Sequence, residues 1–364
     1  MNATAVMASG HQTITVNHRA TATDADSLKE DTMKILILGG TGLISTAITT
    51  QLLQAGHQVT LFNRGLTKAR TAPGAEIVTG DRKQFAAFEA QMRALPAFDC
   101  VIDMICFTPE EAESAVRAFS GHAGHVIFCS TVDVYSKPAS CYPILEDEPR
   151  VGNNDYGRNK ILCEDIFFAA GARGAFPITI IRPAMTYGEG GRLLDWKGWN
   201  TAIIDRIRKG KPLLVHGDGS AFWVVCHVED AARAFVNACG NPITFGKSYH
   251  VTGEEWLTWN RYYALIAEAL QVPTPPLIHI PTDLIARLAP TQAAVLVANF
   301  QGSNVFDNRA ARQDLDFRYT ISWLEGAGRA IGWLDAQGQV DNSDDDPIDD
   351  QIIAAWQQVE STIT

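Results

Sequence analysis

The chain carries a run of aliphatic residues that ends in a glycine turn and opens directly into a helix: Lys34-Ile35-Leu36-Ile37-Leu38-Gly39-Gly40-Thr41-Gly42-Leu43-Ile44-Ser45. Four consecutive aliphatics read as an interior strand of a parallel sheet. Gly39 takes the tight turn. Gly42 lets the backbone approach a pyrophosphate at a helix N-terminus, where unpaired N–H groups and the helix dipole favour anions. The spacing is G-x-x-G-x-x-S, with Ser45 where the usual fingerprint has its third glycine. An apolar strand before the turn and an amphipathic helix from Leu43 to Ala55 after it make dinucleotide binding the expected role. Gly39, Thr41, Gly42, Leu43 and Ile44 are the expected contacts.

At 364 residues the chain is long enough for one large domain or two lobes. The formal net charge of -11 opposes non-specific binding to nucleic acid, which rests on neutralising phosphates with Lys and Arg. No run has the length and apolarity of a membrane span. Seven cysteines are scattered without a CxxC pair, which fits reduced thiols in a cytoplasmic protein and suggests no metal site. Residues 1–32 lack an apolar h-region and are expected as a disordered leader.

Strands are expected at Val59–Phe62, Glu76–Thr79, 99–105, 125–130 and Ile178–Ile181, with helices at Pro109–Phe119 and from Asp155 onward. This alternation argues for an α/β fold, a doubly wound parallel Rossmann sheet. Its dinucleotide-binding core is placed at 33–185. Beyond Pro183 the pattern loosens into glycine-rich turns and a proline-rich stretch. Residues 186–335 therefore read as a smaller, mixed C-terminal substrate lobe with segments returning to the core, packed over the strand ends where ligands bind. Residues 336–364 read as an acidic, solvated linker followed by a C-terminal helix.

Three features follow the glycine turn in order. Ser130-Thr131-Val132-Asp133-Val134-Tyr135 ends the fifth strand, Tyr156-Gly157-Arg158-Asn159-Lys160 lies on the next helix, and Arg182-Pro183 closes the sixth strand. Tyr156 and Lys160 stand four apart, so they share one helix face. A phenol titrates near pH ~10. A neighbouring ammonium, helped by an oxidised nicotinamide, favours the phenolate and would draw Tyr156 toward the range of a general base. Thr131 is placed to orient the same substrate hydroxyl.

Taken together, the chain resembles the short-chain dehydrogenase/reductase superfamily, in its extended branch of epimerases and dehydratases acting on sugars, over roughly residues 33–335. Gly39-Gly40-Thr41-Gly42 resembles the branch's glycine motif, and Ser130-Thr131 with Val134-Tyr135 its Ser-Ser/Thr-x-x-Val-Tyr strand end. Gly217-Asp218-Gly219, His227-Val228-Glu229-Asp230 and Asp307-Asn308 resemble later landmarks. The resemblance implies Thr131, Tyr156 and Lys160 as catalytic trio, a nicotinamide cofactor as redox agent, and a homodimer formed through two helices of each protomer. It also implies that Asp81-Arg82 borders the adenine, and that Met104, Pro183, Tyr156 and Lys160 stand beside the cofactor. The second strand ends Leu61-Phe62-Asn63-Arg64, without the acid that binds a ribose 2′-hydroxyl. Arg64, with Lys68, suits a 2′-phosphate, so NADP is expected in preference to NAD.

Two departures bear on the substrate. Nucleotide-sugar enzymes of this branch carry an arginine before the His-Val segment to hold a diphosphate. Here that position is Trp223, and an aromatic cannot replace a bidentate clamp. A nucleotide diphosphate then depends on Arg192 or Arg206 for its charge. Trp196, Trp199 and Trp223 are candidates to stack on a carbohydrate-like substrate or to pack within the lobe. The second departure is Asp133, which stands where dehydratases of this branch carry a glutamate. It suits either acid/base work in elimination or a role in orienting the loop. His227 reads as structural and His216 as a turn residue. Two further readings stay open: a ketone or aldehyde reductase for a non-sugar substrate, and an RNA-binding protein resembling the atypical subgroup with the chloroplast stem-loop binders. The acidic charge and the intact Tyr–Lys pair count against the last.

Overall fold

The computed structural model describes residues 32–66 and 72–363. The expected leader (Thr32 apart) and Lys68 lie outside the described residues. Seven parallel strands form the central sheet: β1 (Lys34–Leu38), β2 (Gln58–Asn63), β3 (Glu76–Thr79), β4 (Cys100–Asp103), β5 (Val126–Cys129), β6 (Ile178–Pro183) and β7 (Lys247–Val251). Their order is β7-β6-β5-β4-β1-β2-β3, the doubly wound arrangement that opens a crevice where the strand order reverses beside β1. In β1 the two-residue period of a strand divides the aliphatics between two cores. Ile35 and Ile37 face one, Leu36 and Leu38 the other.

Helices cover both faces. They are α1 (Leu43–Gln54), α2 (Phe85–Ala94), α3 (Pro109–Phe119), α4 (Asp155–Ala172) and α5 (Val228–Ala238), divided so that α1 and α5 pack on one face and α2, α3 and α4 on the other. Local signals start two of them. Thr108 caps α3 by accepting from the Glu111 N–H, while Glu111 Oε2 accepts from the Thr108 N–H at 3.3 Å, with Pro109 in the first turn. Asn154 caps α4 by accepting from the Gly157 N–H at 2.7 Å.

The β7 strand was absent from the sequence expectations because Lys-Ser-Tyr-His-Val is polar at alternate positions and forms a sheet edge, where one side pairs with β6 alone. The helix α2 was missed as well; only Phe88 and Met92 of it are buried.

The remaining segments build the second core, centred on Trp196, Trp259, Tyr262 and Trp323. Here the acidic run departs from the solvated linker expected of it. Asp344 pairs with Lys209 and Lys211, Asp350 with Arg206, and Asp346 and Asp349 with Lys197. Thr201 donates to Asp341 at 2.6 Å. The run is a strap fastened to lysines and arginines more than a hundred residues earlier. Asp349 also accepts from the buried Trp196 indole N–H at 2.6 Å. Asp349→Ala leaves that N–H and Lys197 short of a partner. We expect a loss of about 2 kcal/mol, the usual cost of an unsatisfied buried donor, read as a lower urea midpoint at unchanged slope.

Candidate active site

The C-terminal ends of β1, β4, β5 and β6 open into a cavity of about 720 Å³. A second, of about 400 Å³, lies beyond the ends of β2 and β3. Gly39, Gly42, Ile105 and Phe107 line both, so the two form one trough passing over the glycine turn.

The turn itself is tight. Gly39 has φ of +86°, and a Cβ on Gly40 would stand 2.5 Å from Leu61 of β2. Ser45 replaces the third glycine without opening the turn: its hydroxyl donates to the Gly39 carbonyl and accepts from the Gly42 N–H, both at 2.8 Å. Leu43 and Ile44 open α1 and line the larger cavity, where the first N–H groups of a helix lack intrahelical partners. Thr41, Asn63, Arg64, Asp81 and Arg82 line the smaller cavity, and Met104 and Pro183 the larger. Asn63 Oδ1 accepts from the Gly65 N–H at 2.8 Å, which shapes the loop that exposes Arg64. Arg82 differs from a free contact: it is buried and donates twice to Asp103, at 2.7 and 2.8 Å. It braces the floor of the trough instead of presenting a charge to it.

Thr131, Asp133, Tyr156 and Lys160 come together on the wall of the larger cavity. The approach of α4 to the turn after β5 depends on Gly157, where a Cβ would stand 2.2 Å from the Asp133 carbonyl oxygen. Lys160 is buried, and its Nζ donates to the carbonyls of Cys106 and Cys129 at 2.8 and 2.7 Å. Nζ lies 5.8 Å from the centroid of the Tyr156 ring. Tyr156 is 42% exposed. The protein's own groups do not supply the downward pull on its hydroxyl. Desolvation pushes the phenol up, Cys129 and Asp133 act in the same direction, and only the Thr131 side chain lowers it.

Asp133 is held in a cluster of side chains drawn from distant parts of the chain. Asn299 Nδ2 donates to Asp133 Oδ1 at 3.0 Å, Lys137 Nζ lies 3.7 Å from the same oxygen, and Lys137 also donates to Asn299. Lys137 is almost fully buried, and desolvation lowers it to about 8, against the pull of Asp133. No local motif marks a contact between residues 166 apart.

Of the candidate substrate residues, Arg192, Trp199 and Trp223 line the cavity. Trp223 stacks on Trp259 at 5.1 Å between centroids. Trp196 does not reach the cavity wall: it is 1% exposed and packs in the second core, its N–H taken by Asp349. Arg206 is likewise withdrawn, buried and bonded to the Pro212 carbonyl and Asp350. His227 is buried and caps α5. His216 is not an exposed turn residue; it ends a strand, buried against Trp259. Ligand atoms of Glu189, His227 and Glu229 lie within 4.8 Å of one another, but Arg329 bonds both carboxylates and supplies the positive charge there.

With this geometry established, comparison with known proteins is informative. A profile of the NAD dependent epimerase/dehydratase family matches residues 35–251. The chain is similar to the 2'-dehydrokanamycin reductase of Streptomyces kanamyceticus, 26% identical over 321 residues that cover 87% of this chain and 88% of that protein. It is also similar to the chloroplast stem-loop binding protein of 41 kDa b of Arabidopsis thaliana, 29% identical over 259 residues that span 68% of this chain and 65% of that one. Among solved structures, UDP-glucose 4-epimerase of Thermotoga maritima with UDP-glucose superimposes with a TM-score of 0.68 at 17% identity, over 84% of this chain and 99% of that one. This last likeness concerns the fold alone. Among the described residues no helix is long and apolar enough to cross a membrane. The family profile spans more than half of the chain, from the first strand through the seventh, and the chain belongs to the NAD-dependent epimerase/dehydratase family.

Proposed function

We propose that the chain is an NAD(P)-dependent oxidoreductase acting at a carbinol or ketone of a sugar or sugar-like substrate, with Tyr156 as general acid/base. The observation that carries this reading is the convergence of Thr131, Tyr156 and Lys160 on one cavity wall beside the glycine turn. The trough fits a dinucleotide: its smaller end takes the adenosine and its larger end the nicotinamide, which supplies or accepts the hydride. Tyr156 exchanges a proton with the substrate oxygen, and Thr131 orients that oxygen. Lys160 has three donors and two carbonyl partners, so one N–H remains to fix the phenol or a cofactor ribose.

The raised phenol is compatible with the reductive direction, in which it acts as proton donor. A hydroxyl pushed above its ordinary value keeps its proton at neutral pH and is poised to donate it to a carbonyl oxygen as hydride arrives at carbon. The similarity to a protein named 2'-dehydrokanamycin reductase points the same way.

Arg64 makes NADP the proposed cofactor, with NAD as the alternative. Its side chain is exposed on the smaller cavity, where a 2′-phosphate would stand. The test is calorimetric titration of nucleotide-stripped protein with NADP+, NADPH, NAD+ and NADH. In Arg64→Ala we expect about tenfold weaker NADP+ binding and unchanged NAD+ binding, the worth of one charge-assisted contact. Binding of none of the four would refute the enzyme reading and bring forward salt-dependent RNA binding. The homodimer belongs to the same proposal and is read by sedimentation.

A further inference from the structure

We propose that Arg192 serves the cofactor: its guanidinium joins the α1 N-terminus in holding the dinucleotide's diphosphate, and the substrate end of the cavity therefore takes a substrate without a phosphate. The proposal rests on the oxidoreductase reading above and adds the class of substrate to it.

The placement comes from the chain around Arg192. The strand Met185–Tyr187 ends in a turn closed by the Gly191 N–H donating to the Gly188 carbonyl at 2.9 Å. That turn sets Gly191 against the first residue of α1. A Cβ on Gly191 would stand 2.8 Å from Leu43 Cδ2. Leu193 and Leu194 follow, both buried in the second core. The backbone of Arg192 is thus pinned from both sides next to the helix N-terminus, while its side chain is exposed on the cavity. A guanidinium there adds a full charge and a fork of donors to the partial charge of the helix end.

Counting charges on the cavity leads to the same assignment. Lys160 holds two backbone carbonyls, and its remaining N–H is assigned to the phenol or the cofactor ribose. Lys137 lies behind the wall, committed to Asp133 and Asn299. Arg206 is buried in the strap. Among the described residues of the cavity wall, Arg192 is the cation with neither an ion pair nor a carbonyl partner. An entering diphosphate gains from that charge, and one arginine does not hold two diphosphates. Elsewhere the wall offers Asp133 and Asn299 together with Trp223, Val224 and Phe300. Among the described residues this part of the wall offers a phosphate no unpaired cation, while its carboxylate and amide accept from a hydroxyl or an ammonium. A glycoside or amino sugar free of phosphate suits this wall.

The experiment compares wild type with Arg192→Gln by calorimetry, using ADP-ribose, adenosine and, in the presence of saturating NADP+, UDP-glucose. The expected result is about tenfold weaker ADP-ribose binding in the variant, equal adenosine binding in both proteins, and no UDP-glucose binding to the wild-type complex. Arg192→Lys should recover part of the loss, since it restores the charge but not the fork. Equal ADP-ribose affinity in wild type and Arg192→Gln would overturn the assignment and leave the oxidoreductase reading intact. UDP-glucose binding that Arg192→Gln abolishes would overturn it too, by giving the arginine to a nucleotide sugar. Failure of wild type to bind ADP-ribose while it binds NADP+ would overturn the assignment alone, and failure to bind ADP-ribose or any of the four nicotinamide dinucleotides would remove both readings.

Discussion

Tyr156→Phe should lower turnover by at least about 10³-fold, at the upper part of what a positioned general acid contributes, while NADP+ affinity changes less than about threefold. The asymmetry follows from where each part of the side chain stands. The ring keeps its tilted contact with Phe107, 6.5 Å between centroids, so the mouth of the cavity is preserved. Neither the Asn154 cap nor the two carbonyl bonds of Lys160 involve the hydroxyl. Only the proton donor is removed. The measurement pairs calorimetry with single-turnover oxidation of NADPH, on whichever keto sugar or keto glycoside a substrate screen yields. A variant that turns over at more than a tenth of the wild-type rate would refute Tyr156 as the acid and leave Thr131 or a water to supply the proton.

How much of this site was legible in the sequence depended on how far apart in the chain its parts lie. The glycine turn was readable because strand, turn and helix are consecutive, and Ser45 repairs its own departure from the fingerprint within six residues, through the Gly39 carbonyl. Tyr156 and Lys160 were readable because a helix fixes the distance between residues four apart. The tryptophans were not. Trp196 and Trp199 are three residues apart and chemically alike, yet the first is buried and the second is 53% exposed. What separates them is Asp349, 153 residues away, which accepts the indole proton of Trp196. The acidic run failed for the same reason: its charges look solvated until Lys197, Arg206, Lys209 and Lys211 are brought beside them. The Asp133–Asn299–Lys137 cluster is a contact between segments that share no motif, and only the assembled fold places it on the cavity.

The largest stability loss should come from Arg182→Met, at the end of β6 beneath the cavity. Arg182 is 2% exposed and donates to Glu164 twice, at 2.8 and 2.7 Å, to the Tyr135 hydroxyl at 2.6 Å and to the Glu146 carbonyl at 3.0 Å. Glu164 is fully buried, and its other guanidinium partner, Arg150, is partly open to solvent. Breaking such a pair leaves a buried carboxylate under-compensated, which costs about 3–5 kcal/mol. The loss should depend on pH in a definite sense. Burial pushes the Glu164 carboxyl up, and its partners together, Arg182 foremost and Arg150 with it, hold the group below its ordinary 4.5. A carboxyl lowered on folding contributes stability that is complete above the unfolded value and is lost as pH falls through the folded one. Without Arg182 the burial effect has less to oppose it, the carboxyl rises, and protonation relieves the variant as the medium becomes acidic. The difference between wild type and Arg182→Met should therefore be greatest near pH 7 and narrow below pH 4.5. Urea unfolding at both pH values reads it directly, and a gap that stayed constant would show that Met fails through packing and not through the stranded charge of Glu164.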